Sequence, residues 1–292
     1  MKTVLVTVLV CALAGLAAAA LVLWRGWYDV SATVSHTQVV HDLLELALRR
    51  SVRLRAAEVQ VPPLEDTRVA ARGAVCYRDH CAQCHGGPGV EPSDVGKSLQ
   101  PLPGPLVDAA RRWQARELYW ITRHGIKMTG MPAWELRLAD RELWAVTAFL
   151  LALPELSPAA YRQTMDELRE ESCPTASQAC LAGRCPQEPT ADQQPLQPRD
   201  DDEAARLLLR QYACVACHRI PGVVGSDVDV APPLHGLRRR SAIAGGLPNT
   251  PEQLARWIQS PRHLRPGTAM PELGVTDAHA RRMADYLLDR RH

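Results

Sequence analysis

Two short stretches decide the reading: Cys81-Ala82-Gln83-Cys84-His85 and Cys214-Val215-Ala216-Cys217-His218. With nine Cys and ten His in 292 residues, one such match arises by chance about 0.01 times per chain, so a pair of them is not an accident. Thiols at i and i+3 share one helical face, which lets both add to the vinyl groups of a single haem. The His that follows then lies under the ring and can ligate the iron. A zinc site would need further Cys or His in the same copy, and a redox Cys-x-x-Cys would need no His. The sequence therefore predicts two covalently held haem c groups. Cys81, Cys84, Cys214 and Cys217 are their thioether carriers, and His85 and His218 are iron ligands.

Working outward, each motif sits in the same succession of elements. A helical pattern over 67–84 leads into the first, followed by a Pro/Gly-rich loop over 86–105 and helices over 117–124 and 140–153. After residue 203 the succession restarts: a helix running to Cys217, a Pro/Gly loop, a helix over 251–259 and a last helix over 277–291. The chain reads as two copies of one architecture at low identity. Each copy has a Met-Pro pair before its last helix, in Gly130-Met131-Pro132-Ala133-Trp134 and in Pro266-Gly267-Thr268-Ala269-Met270-Pro271.

These residues resemble the c-type cytochromes with small all-helical domains, the class I cytochrome c fold, over residues 67–153 and 203–292. The resemblance implies that Met131 and Met270 are the sixth iron ligands, completing His85/Met131 and His218/Met270. Thioether sulfur is soft, suits both oxidation states of iron and raises the potential. Met128 is a rival in the first copy; Met131 is preferred because Pro132 stiffens its loop. Pro232-Pro233-Leu234-His235-Gly236 is similar to the family's Pro-x-Leu-x-Gly loop, in which the Pro carbonyl accepts the ring N–H of the iron-bound His. Pro103-Gly104-Pro105-Leu106 is the nearest counterpart in the first copy. Trp257 stands where relatives contact a haem propionate, or is a plain core residue. Gly73 marks the family's tight crossing of first and last helices. Ala205-Arg206 at that place in the second copy predicts a looser one.

Ahead of the repeats, residues 4–24 carry no charge, between Lys2 and Arg25. The run suits a bilayer core of ~30 Å. A cleaved leader ending near Ala18-Ala19-Ala20 is the rival. The apolar run continues past that point, and Trp24, Trp27 and Tyr28 resemble an interfacial belt, so a retained anchor is preferred. Residues 42–58 read as an amphipathic helix with Arg49, Arg50, Arg53 and Arg55 on its polar side. The expected architecture is all-α: a transmembrane anchor over 1–28, a helical stalk over 29–66, a first cytochrome c-like domain over 67–155, a Pro/Cys-containing linker over 156–202 whose start can form a helix over 158–171, and a second such domain over 203–292. In an oxidising compartment Cys76, Cys173, Cys180 and Cys185 tend to pair, and a bond from Cys76 into the linker is expected. A zinc site on the linker Cys is the outside alternative.

Composition narrows the function. Lys+Arg number 34 against 32 Asp+Glu, a net charge of +2, which speaks against nucleic acid as a partner. One Phe in 292 residues is few for two cores, and a haem in each would replace the missing aromatic bulk. With both axial positions of each iron filled by protein, the expected role is outer-sphere electron transfer rather than catalysis. The run over 124–132 is similar to membrane-anchored bacterial cytochromes c of aerobic respiratory chains. That likeness implies redox protein partners, a dehydrogenase or a terminal oxidase, with the haem domains on the periplasmic side of the inner membrane. A haem subunit of such a complex is the alternative, and a dihaem peroxidase a more distant one. Arg238-Arg239-Arg240, with Arg262, His263 and Arg265, reads either as a solvated face or as a cationic rim for an acidic partner.

Overall fold

The computed structural model describes residues 1–34, 36–174, 201–224 and 230–289. Helix α1 (Lys2–Trp24) spans 23 residues, all outside the core, and at 1.5 Å per residue it is about 34 Å long. It is the one helix among the described residues long and apolar enough to cross a membrane. Helix α2 (Gln38–Ala56) follows, starting and ending slightly earlier than the sequence pattern suggested. Its C-terminal turns bury Val52 and Ala56. Arg53 pairs with the buried Glu117 at 3.7 Å, so that end of the stalk is part of the first packed unit.

That unit comprises α3 (Thr67–His80), the single turn α4 (Ala82–His85), short helices α5 (Asp94–Ser98) and α6 (Ala109–Arg112), α7 (Ala115–His124) and α8 (Asp140–Ala152). Asp66 caps α3 by accepting from the Arg68 N–H, and a capping box of Gln114 and Glu117 starts α7. Helices α3 and α8 cross over a core of Val75, Tyr77, Leu143, Val146, Phe149 and Leu150. Tyr77 and Phe149 meet there with ring centres 5.3 Å apart.

The first unit does not stop at residue 155. Helix α9 (Pro158–Glu167), capped by Ser157, lays Tyr161 into the same core at 3% exposure. Arg78 then holds the turn after α9 by donating to the carbonyls of Leu168 at 2.6 Å and Glu171 at 2.5 Å. Cys173 forms a disulfide with Cys76. The segment read as linker thus begins with the helix its sequence allowed, with Pro at its first position. That helix is packed on the first core and followed by the cross-linked Cys173. With Cys173 spent in the disulfide, the alternative of a zinc site on the three linker Cys loses a ligand; Cys180 and Cys185 lie outside the described residues.

The second unit holds α10 (Asp201–Gln211), α11 (Pro251–Gln259), the single turn α12 (Pro261–Leu264) and α13 (Asp277–Leu287), with a two-residue antiparallel pair, β1 (Ala242–Ile243) and β2 (Leu247–Pro248). Its core gathers Ala205, Leu208, Leu209, Leu254, Ile258, Met283 and Leu287. The helix expected to run on to Cys217 ends at Gln211 instead. Ala213 takes a left-handed φ of 56°, which no α-helix continues through, and Cys214–Ala216 forms a 3-10 turn.

Candidate haem-binding sites

In the first unit the motif occupies the end of α3 and the turn α4. Gly86, at φ 64°, closes it, and the buried Tyr77 hydroxyl donates to the Gly86 carbonyl at 2.7 Å. Cys81 and Cys84 are free thiols, whereas Cys76, on helix α3, is spent in the disulfide with Cys173. Burial, with the neighbouring Cys84 adding to it, pushes the Cys81 thiol up to about 12. The second motif, on its 3-10 turn, also keeps Cys214 and Cys217 free, and burial pushes Cys214 up to about 11. In a 3-10 turn positions i and i+3 eclipse, so this pair shares a face as well.

The two histidines are held in the same way. His85 Nδ1 lies 2.8 Å from the Gly104 carbonyl, and His218 Nδ1 lies 2.7 Å from the Pro232 carbonyl. A carbonyl only accepts, so Nδ1 carries the proton and each Nε2 presents its lone pair. Burial lowers the pKa of His85 and the Gly104 bond opposes that shift, which favours the neutral, ligating form. The acceptors share a register: Gly104 stands two residues before Leu106, and Pro232 two before Leu234, each Leu packed on its own core. In the first copy Gly thus takes the place of the Pro.

The Met loops are also built alike. The Thr129 N–H donates to the Ile126 carbonyl at 3.3 Å, and the Met131 N–H to Thr129 Oγ1 at 3.0 Å. The corresponding bonds run from Thr268 to Arg265 at 3.0 Å and from Met270 to Thr268 at 3.2 Å. Sequence reasoning passed over these threonines, although Thr-x-Met-Pro stands in both copies. Met131 and Met270 are half-buried, whereas Met128 is 91% exposed with φ 62°, on the outside of its turn.

Packing brings the first Met loop and the first motif together. Gly96 lies against Cys84, so close that a Cβ would come within 2.9 Å of the Cys84 Cα. Three residues on, Leu99 covers Gly130 beside Met131. From the other side Trp134 meets His80, the residue before Cys81, with ring centres 4.9 Å apart. In the second unit separate hydrogen bonds brace the segment after the Pro232 loop and the turn between the two short strands. Asn249 Nδ2 donates to the Leu237 and Arg240 carbonyls, both at 2.8 Å. Arg265 Nη2 donates to the Gly245 carbonyl in that turn at 2.7 Å. Trp257 packs half-buried against the second core.

The residues fit a covalently held haem. The free thiols are paired at i and i+3, each His has Nδ1 engaged by a carbonyl so that Nε2 is the nitrogen suited to ligate, and a soft thioether sits on a hydrogen-bonded loop. Among the described residues no cluster of three or more His, Cys, Asp or Glu could hold a metal ion.

Comparison with known proteins agrees for the first unit. Residues 68–150 match the family described as cytochrome C oxidase, cbb3-type, subunit III. A 66-residue stretch is 33% identical to cytochrome c oxidase subunit 2 of Alkalihalophilus pseudofirmus, covering 23% of this chain and 18% of that protein. No solved structure matches the chain. The match over residues 68–150 supports a c-type cytochrome domain there, a kind of domain that serves as an electron carrier.

Proposed function

We propose that the chain is a membrane-anchored carrier of two c-type haems, working on the periplasmic side of the inner membrane in an aerobic respiratory chain. The observation that carries this reading is the matched pair of bonds, His85 to Gly104 and His218 to Pro232, at one register in two copies. Each haem, when bound, supplies a one-electron couple of ferric and ferrous iron. Cys81 and Cys84, or Cys214 and Cys217, would fix it through thioether bonds. His85 and His218 would ligate its iron through Nε2, their Nδ1 protons tethered to a carbonyl, and Met131 and Met270 would supply the second protein ligand. Two protein ligands per iron would leave no position for substrate, which is what a carrier requires. The Cys76–Cys173 disulfide supports an oxidising compartment, and the exposed apolar α1 supports an anchor.

The family description matched by residues 68–150 favours one setting, a haem subunit of a terminal oxidase complex that relays electrons toward the oxidase. Potentiometric titration of the purified chain tests the proposal. Two one-electron steps per chain, with negligible peroxide turnover, are expected. One electron per chain, or steady peroxide turnover with both Met ligands in place, would contradict it.

A further inference from the structure

The first unit reaches the second through the segment that follows Met131. Leu136 packs on the second core. Arg137 Nη2 donates to the Gln211 carbonyl at 2.8 Å, and its guanidinium stands 5.9 Å from the centre of the Tyr212 ring. Both contacts lie beside the second motif. Gln211 ends α10, and the Cys214 thiol is 3.9 Å from the Tyr212 carbonyl. Tyr212 is itself fixed, at 7% exposure and with its hydroxyl 2.9 Å from His279 Nδ1. On the first unit Arg137 belongs to the turn that continues the Met131 loop, where Arg137 and Leu138 both donate to the Trp134 carbonyl at 2.9 Å.

We propose that Leu136 and Arg137 latch the Met131 side of the first site onto the Cys214 side of the second, and that an electron passes between the two irons of one chain across this contact. The inference rests on the two-haem reading. In the step one ferrous iron becomes ferric and the other ferric iron becomes ferrous. One electron moves, no bond forms or breaks, and no proton leaves a residue. Electron exchange weakens steeply with separation, so a docked pair outruns two domains tethered only through the chain between them. Small contacts between domains leave relative motion as the default, which puts the decision on a few groups. A planar guanidinium can lie over an aromatic ring and donate to a carbonyl at once; an ammonium does this poorly. For an exposed Arg the cation–π contact and the hydrogen bond together amount to about tenfold in docked population.

The test uses the full chain in detergent, its haem content counted first, as wild type, Arg137→Lys, Arg137→Ala and the double variant Leu136→Asp/Arg137→Ala. One readout is the iron–iron separation in the oxidised protein, from the dipolar coupling of the ferric haems in pulsed electron paramagnetic resonance. The other is the rate at which one photoinjected electron equilibrates between the haems. The double variant should show a longer and broader separation and a rate lowered at least about tenfold, with Arg137→Lys between it and wild type and both haem spectra unchanged. An unaltered separation in the double variant overturns the latch. A longer separation with an unaltered rate overturns the electron route. A chain with one haem refutes the two-haem reading instead. The contact is then read by hydrogen exchange over residues 211–214, which the latch requires to quicken in the double variant and which, if unchanged, overturns it.

Discussion

Gly73 on α3 lies so close to Ala145 on α8 that a Cβ built on it would fall 1.9 Å from the Ala145 carbonyl oxygen. The two helices cross backbone to backbone, with Phe149 one turn further along α8 also in range. Neither backbone can yield without opening the core between Tyr77 and Phe149. Gly73→Ala should therefore destabilise the first unit by about 1–3 kcal/mol or more, as overpacking does. Gly104→Ala, where nothing lies within 4 Å, serves as the control. Urea unfolding followed at the first haem should show a lower midpoint for Gly73→Ala alone; equal midpoints would mean that the crossing is loose.

Much of this arrangement was legible in the sequence because it rests on chemistry that only certain residues perform. Paired Cys, the following His, Met-Pro and Gly73 are each hard to replace, so each stands out in the sequence. The tether on His218 was legible for the same reason, through Pro232. Its counterpart was less so: the acceptor is a backbone carbonyl, which any residue supplies, and Gly104 carries no mark of it except its distance from Leu106. Thr129 and Thr268 act on the backbone N–H two residues ahead, a local bond that many loop threonines make. A helix over 158–171 was legible at the start of the linker, but its membership of the first unit was not, because that rests on one buried ring, that of Tyr161. Ala213 gave no warning of its left-handed turn, since Ala ordinarily continues a helix.

The ligand sets separate the two sites. Met131→His should lower the potential and change the spectrum of one haem, and Met270→His those of the other, because each exchanges a thioether for an imidazole. Met128→Ala should leave both spectra alone, given its 91% exposure. Loss of Met-ligated absorption in Met128→Ala with its retention in Met131→Ala would reverse the assignment in the first copy.

The basic residues around the second site divide into two kinds. Arg240 donates to the Pro233 carbonyl at 2.6 Å, and Arg265 is engaged at Gly245, so both shape the site. Arg238, Arg239 and Arg262 are exposed and make no ion pair among the described residues. Charge reversal at these three should slow electron exchange with an acidic redox protein at low salt. The difference should vanish as salt rises, since screening acts within ~8 Å at physiological ionic strength. Stopped-flow rates that ignore both salt and charge reversal would show a merely solvated face.

His279 gives the second unit an acid limit. Burial, with the Arg282 charge adding to it, lowers its pKa below 6.5, and its Nδ1 faces the Tyr212 hydroxyl at 2.9 Å. The folded state therefore prefers neutral His279, and the stability that this contributes is fully present above pH 6.5. As pH falls below that value the unfolded chain takes up the proton first, and stability declines by at most about tenfold in the folding constant per pH unit. Protonated Nδ1 also ceases to accept from Tyr212. His279→Gln should flatten this part of the stability profile between pH 7.5 and 5; a profile as steep as wild type would place the acid sensitivity elsewhere.

The central claim is that both copies hold a haem by the same bonds, and the mass of the denatured chain tests it most directly. Thioether links survive unfolding, so mass spectrometry of the wild-type protein should show the polypeptide plus two haems. Cys81→Ala/Cys84→Ala and Cys214→Ala/Cys217→Ala should each show one. A wild-type mass carrying a single haem or none, or a double substitution that leaves the mass gain at two, would contradict the account.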